Sequence, residues 1–554
     1  MEHAKRPWLS LIVLCVGTFA VLLDGTIVNV ALPSVLTGLH ASLDQALWVV
    51  NAYLLVFAAL LILASRLGDM FGPRRLFTVG LALFATASAL CGAAQAPGQL
   101  IAARALQGVG AALLTPQAMV IIQAVFPRER MGAAFGIFSS MVGLAAVSGP
   151  TLGGVLTTYL SWRWVFYVNL PIAAAGIAAA YLYVPDIRTG RRPRLDLVGV
   201  LLASAGLAAV VYGVIEGQHY AWGEVRYGIT IPEIIGAGLV ALAGFVAWER
   251  RHREPLVPPG LFRNPTFAVM VVLNVAVQFA LQSMLLVNSI NLQSVLGFTA
   301  VHAGLTALPL TLALTAMAPF AGRLTDRVGG KYVLMAGLAV YAIGIAGVTL
   351  VSSTHATSLT FAPVLLVAGL GMGAIFAPLA TEAMRAAPAR FAGAASGVLN
   401  TGRQLGGTLG GAITGAVLAT QLASAMQARA LTDARLLPGA ARPGFVAAFA
   451  RAARSGLQVG RGQSAASVPH GTPLPLIAQV RRLIDDVFAN GYLTAMRPTL
   501  AISVAILLAG AAACVLLRRR PAVVAPAVGP GAGPAAAAAG QAAGATQAEP
   551  SSAR

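Results

Sequence analysis

Apolar runs of roughly twenty residues, long enough for a spanning helix, recur along this 554-residue chain between short polar connections. They lie near 8–32, 46–64, 76–96, 98–122, 132–159, 164–184, 197–216, 229–248, 266–290, 301–321, 333–352, 361–381, 393–420 and 498–517. About 20 mostly apolar residues in a helix cross the hydrocarbon core of a bilayer. The pattern therefore predicts an all-α integral membrane protein of fourteen spanning helices. Lys5 and Arg6 precede the first run, which is too long for a signal peptide and ends without a small-residue cleavage site. It reads as the first span, with its N-terminus inside.

Two segments break the rhythm. Residues 421–497 mix Ala, Arg and Leu with Pro438, Pro443, Pro469, Pro473 and Pro475. A long outer loop holding one or two amphipathic helices is expected there. Residues 518–554 are rich in Pro, Ala and Gly. Such sequence cannot bury a core, and a disordered cytoplasmic tail is expected.

Composition agrees with the pattern. Hydrophobic residues are 58% of the chain, charged residues 10%, and the mean hydropathy is +0.79. A soluble domain needs far more charge on its surface. The net charge of +19 does not point to nucleic acid, because the basic residues form short clusters in alternate connections, including Arg74 and Arg75, Arg250 and Arg251, and Arg518 to Arg520. The short opposite connections hold only Arg163 and Arg226. That asymmetry sets orientation in an inner membrane, with both termini cytoplasmic. Cys15, Cys91 and Cys514 lie far apart in apolar runs and suggest neither a disulfide framework nor a metal site.

The chain repeats itself. Arg66-Leu67-Gly68-Asp69-Met70-Phe71-Gly72 recurs as Arg323-Leu324-Thr325-Asp326-Arg327-Val328-Gly329, 257 positions on, and Gly149 to Gly154 recur at the same offset as Gly406 to Gly411. The expected organisation is a six-helix bundle over 8–184, a linker with two inserted helices over 185–260, and a second six-helix bundle over 261–517. Two parallel halves around a central cavity are an alternating-access architecture.

Several motifs carry candidate chemistry. SRLGDMFGPRRLF (Ser65 to Phe77) and its copy GRLTDRVGGK (Gly322 to Lys331) occupy inner connections. VLLDGTIVNVALP (Val21 to Pro33) places Asp24 at membrane depth, where a carboxylate costs roughly 2.5–3.5 kcal/mol and is a functional candidate by default. Burial would favour its protonated form, as a proton carrier needs; a structural Asp bonded to a neighbouring helix is the alternative. ARALQGVGAA (Ala103 to Ala112) puts Arg104 inside a span with Gln107 near its face. It faces a cavity or a partner, or snorkels toward the outer surface. GLAAVSGPTLGG (Gly143 to Gly154) combines Gly143, Gly149, Gly153 and Gly154, which permit close backbone approach, with Pro150, which kinks a helix. SWRWVFYVNLP follows, from Ser161 to Pro171.

In this order the motifs resemble the major facilitator superfamily, and within it the fourteen-helix drug:proton antiporters of the QacA/EmrB type, over roughly residues 8–517. The resemblance implies a proton-coupling role for Asp24 and Arg104. It also implies an inner-gate latch of Asp69 with Arg74 and Arg75, and of Asp326 with Arg327 and Lys331, and an antiporter motif in the fifth span. Met70 and Pro73 depart from the superfamily's GxLaDRxGrkxxl pattern, and Met70 removes a usual Arg. Candidate cavity residues are Trp48, Asn51, Tyr53, Gln107 and Arg403, with Asn274, Gln278 and Gln282, a polar stripe at four-residue spacing that can instead bond helix to helix. Glu216 and Glu233 are expected near outer helix ends, in solvent.

The chain has no G-x-x-x-x-G-K-[ST], no G-x-S-x-G and no His pair at i,i+4, so no cofactor, no metal and no enzyme activity are expected. The implied function is proton-driven efflux of amphipathic or lipophilic small molecules, with a dedicated exporter of one endogenous metabolite or antibiotic as the alternative. Expected partners are the substrate, protons and the lipid bilayer, for a monomer working alone or with accessory periplasmic components.

Overall fold

The computed structural model describes residues 6–41, 43–187, 196–217, 220, 222–226, 228–252, 255–439, 442–454 and 474–516. The expected disordered tail lies outside them. The first group of helices comprises α1 (Pro7–Gly38), α2 (Leu43–Phe71), α3 (Pro73–Ala93), α4 (Pro97–Val125), α5 (Met131–Tyr159), α6 (Trp164–Tyr167) and α7 (Asn169–Tyr183). Next come α8 (Leu197–Glu216) and α9 (Ile231–Glu249), joined by a small antiparallel ribbon of β1 (Glu224–Arg226) and β2 (Ile229–Thr230). The last group is α10 (Pro265–Ile290), α11 (Ala300–Thr306), α12 (Leu308–Val328), α13 (Gly330–Val351), α14 (Ser358–Ala386), α15 (Ala392–Asp433), α16 (Arg442–Arg454) and α17 (Leu474–Ala513).

Local chemistry sets the helix ends. Pro7, Pro73, Pro97 and Pro265 open helices at positions whose N–H would have no helical partner. Asp196 caps α8 by accepting from Gly199 N at 2.9 Å, and Thr230 with Glu233 forms a capping box on α9. The final Gly of each repeated inner motif makes the one-residue link to the next helix. Gly72 has φ 94° and Gly329 φ 84°, values that a side chain resists.

Among the described residues, twelve helices are long and apolar enough to cross a membrane. The sequence reading of fourteen spans adds α5 and α12, of 29 and 21 residues, which pack on each other where the two halves meet. Packing repeats with the sequence: α1 lies on α5 as α10 lies on α15, and α2 and α3 lie on α4 as α12 and α13 lie on α14. Across the halves, α5 meets α12 and α15 meets α2. The inserted α8 and α9 pair with each other, and α8 leans on α2 and α15. Glycine permits the closest approaches, with Gly110 on the backbone of Phe84 and Gly371 on that of Tyr341.

Two expectations are corrected. The tenth predicted span is two helices, α11 and α12, parted at Ala307 just before Pro309, which has no N–H to continue a helix. Much of the predicted outer loop 421–497 is helical: α15 runs 42 residues and α17 runs 40. At 1.5 Å per residue each is about 60 Å long, twice the bilayer core. The extension holds together because Leu418, Leu422, Met426 and Ala430, four residues apart, are buried, as are Phe445, Phe449, Ile484, Val487 and Phe488 of α16 and α17. Tyr492 Oη donates to Val287 O at 2.7 Å and ties the extension to α10.

Candidate functional site

Asp24 lies in α1 with 0% exposure, and the side chains around it come from α3, α4 and α7. Arg104 Nη1 donates to Asp24 Oδ2 at 2.5 Å. Gln107 Nε2 and Asn169 Nδ2 donate to Asp24 Oδ1 at 2.9 and 3.1 Å. Gln107 and Asn169 also reach Ser88 Oγ, whose own hydroxyl donates to Phe166 O. Arg104, 1% exposed, spends Nε on Val49 O at 3.0 Å and lies 4.3 Å over the Tyr53 ring. The carboxylate therefore accepts three donors and carries its countercharge beside it, so the cluster is neutral as a whole. A buried pair of this kind is stable intact, but removing one partner costs about 3–5 kcal/mol. Protonating Asp24 removes the negative partner without removing an atom. Arg104 then keeps Gln107 and, on α2, the carbonyl of Val49 and the ring of Tyr53, which links the charge state of α1 to the position of α2.

The sequence reading brought Asp24, Arg104 and Gln107 forward but missed Ser88 and Asn169. Asn169 stands in the quoted SWRWVFYVNLP stretch, and an Asn amid apolar residues two positions before Pro171 is the available signal. Arg104 does not snorkel; it turns inward. Gln107, 0% exposed, belongs to this cluster and not to an open cavity.

The second constellation lies on the face that carries the α1 N-terminus. Asp326, at the end of α12, accepts from Gly132 N at 2.8 Å and Ala133 N at 2.9 Å, in the first turn of α5. Arg385 of α14 adds an ion pair at 2.5 Å and also donates to Arg128 O. A carboxylate on two free helix N–H groups is favoured by both hydrogen bonding and the helix dipole. Asp69, at the end of α2, stands against Gly393 in the first turn of α15. Each motif aspartate thus rests on the starting turn of the other half's long helix. Gln123 donates to Met384 O, and Ser396 to Pro116 O, on the same side.

The basic residues expected in this latch go elsewhere. Arg74 Nη1 donates to Val184 O at 3.1 Å, and Arg75 is exposed. Arg327 is exposed, and Lys331 Nζ donates to Val515 O beyond α17. Each follows its aspartate in sequence but points away from the junction. The arginine that joins Asp326 is Arg385, and the one acting on Asp69 is Arg66 of its own helix.

The profile of the Major Facilitator Superfamily matches residues 14–411. The chain belongs to the major facilitator superfamily. Its relatives are resistance and export proteins. It is 39% identical to the puromycin resistance protein pur8 of Streptomyces alboniger over 408 residues, 73% of this chain and 80% of that one. It is 36% identical to the multidrug resistance protein Stp of Mycobacterium tuberculosis, over 73% of this chain and 74% of that one. The probable actinorhodin transporter of Streptomyces coelicolor is also 36% identical, over 73% and 71%. Among solved structures, the human organic anion transporter MFSD10 superposes with a TM-score of 0.57 at 11% identity, covering 91% of this chain and all of that one. The proton:xylose symporter XylE superposes at 0.54 and 13% identity, over 84% and 99%. These two establish the fold alone.

The glycines of the motif in α5 divide their work. Gly143 packs on Thr311, Leu314 and Thr315 of α12, in line with Gly132 and Gly136 at the junction of the halves. Gly149 packs on Thr26 of α1, Gly153 is buried, and a side chain at Gly154 would meet nothing. Pro150 lies within α5, which runs unbroken to Tyr159. Of the cavity candidates, Trp48 stacks toward Tyr212 of α8 at 6.0 Å, and Asn51 donates to Glu216 at 3.5 Å. Both thus face the inserted helices. Glu216, expected in solvent, is buried by this contact; Glu233 is exposed in its cap. Asn274 bonds Leu399 O at 2.6 Å, so it joins α10 to α15. Gln278 is partly buried, Gln282 is exposed, and Arg403 is partly exposed deep in the bundle.

Proposed function

We propose that this chain exports amphipathic or lipophilic small molecules from the cytoplasm in exchange for protons, by alternating access across fourteen spans with both termini inside. On this reading the face carrying Asp69 and Asp326 is cytoplasmic, and its latches hold the inner gate shut while the opposite side is open. Protonation of Asp24 from outside releases Arg104, moves α2 through Val49 and loosens the Asp69 contact at the other end of that helix. Loss of the proton inside restores the pair. The observation that carries this reading is the Asp24–Arg104 pair itself, sealed at membrane depth with 0% and 1% exposure. The names of the relatives (puromycin and multidrug resistance, actinorhodin transport) fit efflux of lipophilic compounds. They equally include single-antibiotic exporters, which supports a dedicated metabolite exporter as the second reading. The working unit is a monomer, because one chain contains both halves and the sealed pair.

The membrane potential supplies about 2.3 kcal/mol per charge per 100 mV. One proton at that potential sustains a gradient of order fifty-fold for a neutral substrate. Efflux of a panel of lipophilic antibiotics from energised cells tests the proposal. A protonophore should abolish efflux; efflux unchanged by the protonophore would remove proton coupling. Export of one compound from the panel alone would favour the dedicated exporter.

A further inference from the structure

One buried cation is not used by the coupling cluster or the latches. Arg403 lies about three turns into α15, and part of its side chain is accessible there. Among the described residues it makes no hydrogen bond or ion pair.

Its place on the helix says what it faces. Ser396, Asn400, Arg403 and Gly407 are three and four residues apart and share one face of α15. At the latch end this face is closed against α4: Ser396 Oγ donates to Pro116 O at 2.7 Å, and Asn400 Nδ2 reaches Met119 Sδ at 3.8 Å. At Gly407, about 10 Å further along, a side chain would meet no atom within 4 Å. Arg403 thus stands where the contact between the halves ends and the space between them begins. Tyr53 of α2 is within its electrostatic reach, and the same ring lies under Arg104. Asp24 is neutralised by Arg104, and among the described residues Arg403 has no carboxylate partner and keeps its positive charge.

An unpaired guanidinium at membrane depth is costly and marks a functional site. It offers five donors in a planar fork that matches a carboxylate bidentately. We propose that Arg403 recognises an anionic oxygen on the substrate, a carboxylate or ionised phenol, so that the carrier favours lipophilic acids over lipophilic cations. This rests on the transport reading above and names its substrate class. Asp24 is fully buried and paired with Arg104, so proton and substrate do not compete for one site and are coupled through α2. Exchange of a monovalent acid anion for one proton moves two charges per cycle, that of a neutral molecule one, and that of a monovalent cation none.

The test uses the full chain in inverted vesicles with 2-naphthoate, methyl 2-naphthoate and ethidium as probes. Wild type should take up naphthoate at least tenfold better than its ester, with the steeper dependence on an imposed potential. Arg403→Gln should abolish that preference, and Arg403→Lys should keep most of it. Equal handling of acid and ester by wild type, naphthoate preference surviving in Arg403→Gln, or proton-driven ethidium transport without any of naphthoate would overturn the proposal while leaving the efflux reading intact. Uptake of any probe that ignores a protonophore would instead strike the efflux reading. Should Arg403→Gln fold poorly, competition of naphthoate against its ester for binding to wild type decides the same question: preference for the acid supports the proposal, and equal binding overturns it.

Discussion

Two acid–arginine pairs in this molecule have the same 2.5 Å separation and opposite surroundings. Asp24–Arg104 is sealed within one half and fixed by Gln107, Asn169 and the Val49 carbonyl. Asp326–Arg385 is 11–14% exposed, and its carboxylate also holds the start of α5 in the opposite half. The first survives any movement of one half against the other, so only a change of protonation can alter it. The second also lies within one half, but its bonds to Gly132 N, Ala133 N and Arg128 O cross the junction and must break whenever the inner face opens. Position relative to the junction, more than pair geometry, separates a sensor from a latch.

The largest expected effect follows from removing one member of the sealed pair. Arg104→Ala strands a buried carboxylate and should destabilise the protein by about 3–5 kcal/mol. Asp24→Asn combined with Arg104→Gln should recover most of that loss in thermal unfolding; a double variant as unstable as Arg104→Ala would contradict the pairing. Asp326→Asn comes next. Hydrogen bonds to a charged group are worth about 1.5–3 kcal/mol, so loss of about 2 kcal/mol should shift the balance about thirtyfold toward the inward-open state. Single-molecule distances between labels at the exposed Phe71 and Arg323 would report it. Asp69→Asn should shift the same balance less, about fivefold, since a charge on a helix start contributes about 1 kcal/mol and Arg66 belongs to its own helix. Arg75→Ala should change neither distances nor efflux, because the side chain is exposed; a shift as large as that of Asp326→Asn would restore Arg75 to the latch.

Much of this was legible in the sequence. The apolar runs, the offset of 257 and the depth of Asp24 and Arg104 follow from spacing and from the cost of charge in lipid. Ser88 gives no signal until helices are placed side by side, and Asn169, though visible as an Asn among apolar residues, has no assignable partner before then. The latch partners were assigned by adjacency in sequence, whereas Arg385 lies 59 residues beyond Asp326. Arg74, Arg75 and Lys331 belong to the next helix, and Arg327 points outward. One or two amphipathic helices are expected in 421–497, but their continuity with the spans of α15 and α17 is hidden because arginine and proline lower the hydropathy there. The four-residue stripe from Leu418 to Ala430 was present in the sequence, and only contact with α16 and α17 explains it.

Whether Asp24 carries the exchanged proton decides the mechanism. Reconstituted vesicles with a trapped pH indicator and an outwardly directed substrate gradient measure this directly. Wild type should move protons against the substrate flow. Asp24→Asn should still exchange labelled for unlabelled substrate while moving no protons. Proton movement of wild-type size in Asp24→Asn would contradict that role.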